Sequence, residues 1–67
     1  MAIHIQHLAE QLEAARRDND RNIAVSMIAR FLIADDRPVG LSASARLMEA
    51  YWHSPDAGLA LISSVPK

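Results

Sequence analysis

His4, His7 and Glu10 recur at intervals of three, and on a helix that spacing brings two imidazoles and a carboxylate towards one face. Zinc accepts such ligands, but a closed structural site needs a fourth. The remaining histidine is His53 and the chain has no cysteine, so the triplet reads as a solvated polar face and no metal is expected. Asp18, Asp20 and Asn22 alternate as in the opening of a calcium loop, but the sixth position is Ile23, where the sharp turn needs glycine. The twelfth is Ala29, where a bidentate glutamate belongs. Helix capping explains these three residues better. His53, Ser54 and Asp56 suggest a nucleophile with its base, yet side chains so close in sequence seldom point at one another, and triads are assembled from separate segments. Arg16, Arg17 and Arg21 form the one basic cluster, interrupted by Asp18 and Asp20, which neutralise much of its field. There is no glycine-rich phosphate loop, and a chain this short has little room for a ligand pocket of about 300 Å³ or more. The expectation is a protein without enzymatic activity, cofactor or metal.

Sixty-seven residues make one domain at most, near the lower size limit for independent folding. Disulfides, a metal or a partner subunit usually support so small a core. Without cysteine, a partner becomes the default. Seven basic and eight acidic side chains give a formal charge of −1, unlike the clustered positive charge of nucleic-acid binders. No basic segment leads into an apolar signal sequence, and no apolar run reaches the ~18 residues that would span a bilayer. A cytoplasmic location is therefore expected. Six of the seven basic residues are arginine and twelve residues are alanine, a bias typical of GC-rich bacterial or phage genomes.

The elements that must position these residues are helical. Neither glycine nor proline occurs between Ala2 and Arg37. Ile5, Leu8, Leu12 and Ala15 trace the buried stripe of a first helix, and Glu13 with Arg17 forms a favourable acid-then-base pair four residues apart. The run Asp18–Asn22 is rich in poor helix formers that are good N-caps, so a break is expected there, with Asp20 or Asn22 opening a second helix from about 23 to 34; the alternative is one uninterrupted helix of roughly 30 residues, long for a globular domain. Ten of those twelve residues are apolar. Asn22, Ser26 and Arg30, four apart, draw one thin polar line along an otherwise apolar cylinder, and such a cylinder must be surrounded. Pro38 and Gly40 mark a loop. Ser42 or Ser44 should cap a third helix ending near His53, whose apolar face is Leu47, Met48, Tyr51 and Trp52. Ser54, Pro55 and Asp56 signal another start. Residues 57–64 read either as a short helix or as an extended segment.

The fold expected is an all-α single domain over residues 1–67, a small bundle of three to four short helices completed by dimerisation. Its expected function is that of a protein–protein interaction module, an adaptor, inhibitor or regulatory subunit that forms a homodimer or binds another protein. The contact residues expected are Ile23, Met27, Ile28, Phe31, Met48, Tyr51 and Trp52, since the second helix is apolar nearly all round and Trp, Tyr and Met are enriched at interface hot spots. The alternative is a helix-turn-helix DNA binder that reads with the third helix. It is disfavoured by a connection of about seven residues carrying Asp35 and Asp36, and by a reading helix offering only Arg46, His53 and two serines.

Overall fold

Asn19 ends the first helix. Its backbone is left-handed, with φ 55°, a conformation that asparagine tolerates better than most residues. The amide of Asn19 donates to Arg16 O at 3.1 Å and that of Asp20 to Ala15 O at 2.9 Å. This is the paired hydrogen-bond pattern of a Schellman stop. One residue on, the Asp20 carboxylate accepts from the Ile23 amide at 3.1 Å and starts the next helix. The same device recurs after Ala34. Asp36 lies at φ 60°, its amide donating to Ile33 O and that of Arg37 to Leu32 O.

The computed structural model describes residues 5–66. It holds four helices: α1 (Ile5–Arg17), α2 (Arg21–Ala34), α3 (Gly40–His53) and α4 (Pro55–Ser63). The protein is all-α, and the break at Asp18–Asp20 separates α1 from α2 as the sequence suggests. Residues 57–64 turn out to be mostly helical, with Pro55 in the first turn of α4. Two capping expectations need correction. Helix α3 begins at Gly40 (φ 80°), and its N-cap Val39 makes no side-chain hydrogen bond. Ser44 is instead fully buried inside α3, its hydroxyl donating to Gly40 O at 2.8 Å. Ser54 likewise supplies no side-chain cap to α4. The α2–α3 connection is also shorter than expected, spanning residues 35–39.

Helix α2 packs against α1 and α3, while α4 packs mainly on α3 and touches α1. One core results, containing Leu8, Leu12, Ala15, Ala24, Ile28, Phe31, Leu32, Met48, Tyr51 and Ile62. The radius of gyration is 10.5 Å, close to the ~11 Å of an isolated folded chain of this length. The core therefore closes within one chain. Gly58 makes the α3–α4 approach possible, because a Cβ at this position would lie 2.3 Å from Tyr51 Cα.

Candidate functional site

The side of α2 that the bundle leaves uncovered follows from its wheel. Ala24, Ile28, Phe31 and Leu32 face inward and are buried. On the opposite side run Ile23, Ser26, Arg30 and Ile33, spaced three, four and three residues apart, the stripe spacing of a helix that packs along another. Ile23 is 46% exposed and Ile33 63%; Ser26 and Arg30 between them are also exposed. Asn22, Met27, Ala29 and Ala34 flank the stripe. A shallow groove of about 370 Å³ lies along it, lined by Asn22, Ile23, Ser26, Met27 and Arg30, all of them on α2. The stripe as a whole has a branched apolar side chain at each end and a hydroxyl and a guanidinium between them, and Ile33 lies outside the groove.

The seven contact residues expected from the sequence divide into two groups. Ile28, Phe31, Met48 and Tyr51 are buried in the chain's own core. Physically, α1 and α3 pack along one side of α2 and leave the other side uncovered. Ile23 is exposed, and Met27 and Trp52 are half-buried. Ile33, more exposed than any of these, is absent from that set. The signal for it was available: Asn22, Ser26 and Arg30 mark the outward face, and Ile23 and Ile33 border that polar line. Leu41 and Leu61, 71% and 51% exposed, sit on α3 and α4.

Trp52 occupies a polar corner. The Arg21 guanidinium lies 5.2 Å from its ring centroid, within cation–π range, and Arg21 Nε is 3.3 Å from Glu49 Oε2. Arg16 Nε donates to the Trp52 carbonyl at 3.3 Å, tying the end of α1 to the end of α3. Beside it opens a cleft of about 300 Å³ lined by Glu13, Arg16, Arg17 and Trp52. Glu13 and Glu49 offset the arginines there, so the corner is not a concentrated anion site. The expected Glu13–Arg17 ion pair does not form; both side chains border this cleft instead.

A second arginine site holds the fold together. Arg37 is 7% exposed. One of its terminal nitrogens donates to the carbonyls of Ile62, Ser63 and Val65 at 3.0, 3.3 and 3.0 Å, at the end of α4, where a helix runs out of its own amide donors. The other pairs with Asp35 at 2.7 Å, and the guanidinium lies over the Phe31 ring at 5.8 Å. A planar fork with five donors suits this role where an ammonium would not.

Among the described residues no group of three or more histidine, cysteine or acidic side chains is placed to hold a metal. His7 and Glu10 are exposed on α1, and His4 lies outside the described residues. Asp20 caps α2, as the capping reading of the calcium-like stretch requires. His53 and Asp56 are exposed and Ser54 half-buried, without hydrogen bonds among their side chains. No described helix is long and apolar enough to cross a membrane.

Fold and site together define a four-helix globule with one long helix face left without cover. A scan of protein-family models gives no match, and neither the curated proteins nor the solved structures give a significant one.

Proposed function

We propose that this chain is a small protein-interaction module that engages another protein through the outer face of α2. The observation behind this reading is the exposure of Ile23 and Ile33 on a helix whose other side is already fully packed. Scattered single hydrophobes are ordinary on a surface. Two of them at the ends of one helix stripe, with Ser26 and Arg30 between them and small or flexible residues beside them, make a face suited to a partner helix. The half-exposed Trp52 borders a different corner and is held by Arg21, so it is assigned a supporting role there and not a place in the contact. A role in the cytoplasm and a regulatory or adaptor character fit this reading.

The helix-turn-helix alternative gains nothing specific. The five-residue connection between α2 and α3 is longer than the three or four usual in that motif. The exposed side of α3 presents Arg46 together with Glu49, and Arg21 already engages that glutamate.

A photo-crosslinking amino acid placed at Ser26, and as a control at Gln11 on the exposed side of α1, tests the reading in the cells that naturally make the protein. Discrete protein adducts from position 26, with none from position 11, are expected. Equal labelling from both positions, or no adduct from position 26, would contradict it.

A further inference from the structure

The stripe on α2 also indicates what kind of helix it fits. Its two apolar members, Ile23 and Ile33, are ten residues apart, or about 15 Å along the axis. Between them lie Ser26 and Arg30, placed symmetrically about position 28. The same order read backwards from a second molecule gives isoleucine opposite isoleucine at both ends and serine opposite arginine at both middle positions.

We infer that the partner is a second copy of this chain, packed α2 against α2 in antiparallel register, with Ile23 against the partner's Ile33. The inference rests on the interaction reading above and names its occupant. Charge selects the direction. Arg30 is the only ionised side chain in the stripe. A parallel pair in register would press Arg30 directly against its copy, and like charges so placed disfavour association. The antiparallel pair staggers the two guanidiniums by four residues, about 6 Å along the axis, and sets each against a serine hydroxyl able to accept its hydrogen bond. Such a two-fold contact is self-complementary and closes at two molecules.

Area sets the strength. Helix α2 has 14 residues and is therefore about 21 Å long. One helix face of that length covers well under the ~800 Å² per partner of a standard stable interface. The dimer is accordingly weak, with a dissociation constant on the order of 10–100 µM. The fold does not depend on it, since the core closes within one chain.

Sedimentation equilibrium with two substitutions tests the register. Both positions are exposed, so Ile23→Glu and Ile33→Lys should leave the fold unchanged by circular dichroism. Each alone should weaken self-association at least tenfold. Mixing the two variants should restore it, because one end layer becomes Glu against Lys while the other remains Ile against Ile. The chain carrying both substitutions should associate with itself. In a parallel register the mixture would set Glu against Ile and Ile against Lys, and no recovery would follow. A wild-type chain that stays monomeric at about 500 µM, or variants whose mixture associates no better than either alone, would overturn the inference. If the chain is monomeric while position 26 crosslinks to a different protein, only the self-pairing fails. If it is monomeric and position 26 yields no adduct, the interaction reading fails with it.

Discussion

Tyr51 and Trp52 are adjacent in sequence, yet their surroundings differ sharply. A helix turns roughly 100° per residue, so neighbours cannot share one environment. Tyr51 is 2% exposed, whereas Trp52 lies half-buried beneath Arg21. The sequence shows that one of the pair must reach the edge of the core, but which one depends on where α1 and α4 lie. Burial raises the Tyr51 phenol above its ordinary value of 10.0, the Glu13 charge raises it further, and Arg16 partly opposes both. The native state therefore holds the proton more tightly than the unfolded chain. Below the unfolded value both states are neutral and the contribution does not vary. As pH rises through about 10, the unfolded phenol ionises first and stability falls until the folded phenol ionises too. Urea midpoints measured from pH about 8 to about 11 should thus decline for the wild type, with a visibly shallower decline for Tyr51→Phe. Equal slopes in the two proteins would exclude Tyr51 as the cause. At the same scale, Arg37 was legible in sequence only as a loop residue before proline. Its role as the clasp on α4 comes from bringing together positions 25 to 28 residues apart, which no local pattern encodes.

The helices themselves were largely legible, because their signals are local. Leu8, Leu12 and Ala15 repeat at helical spacing and form the buried stripe of α1. The Asp18–Asp20 break is fixed by residues that tolerate a left-handed backbone and accept from free amides. Serine caps were less readable. A serine can cap a helix or bond back to a carbonyl four residues earlier inside one, and Ser44 takes the second course. Gly58 shows the same limit more strongly. In sequence it only weakens confidence in a helix, since alanine is better there by about 1 kcal/mol. In the structure it is the point where α4 crosses α3, with Tyr51 backbone atoms 2.3 and 2.5 Å from where a Cβ would stand. Backbone cannot step aside as a flexible side chain can, so the clash outweighs the propensity gain. Gly58→Ala should destabilise the protein by about 2–3 kcal/mol, a large part of the total for a domain of this size. Chemical denaturation measures this, and an alanine variant as stable as the wild type would show that the two helices do not approach so closely.

Taken whole, the molecule encloses one core and leaves one helix with an uncovered outer side that carries two exposed isoleucines. That surplus was visible in the sequence as ten apolar residues among twelve, but the division into inner and outer faces was not. Ile28 and Phe31 look no different from Ile23 and Ile33 by type, and only the packing of α1 and α3 decides which pair turns inward. The thin polar line of Asn22, Ser26 and Arg30 marks the outer side and carries most of the readable information about it. Leu41 and Leu61 are exposed as well, so apolar exposure alone does not identify the contact surface. The most direct discrimination is methyl NMR as a function of protein concentration, with isoleucine and leucine methyls labelled. Concentration-dependent shifts or broadening should concentrate at Ile23 and Ile33, with Leu41 and Leu61 unchanged. Movement of the two leucines while both isoleucines stay still would place the contact elsewhere and contradict the assignment of α2 as the interaction face.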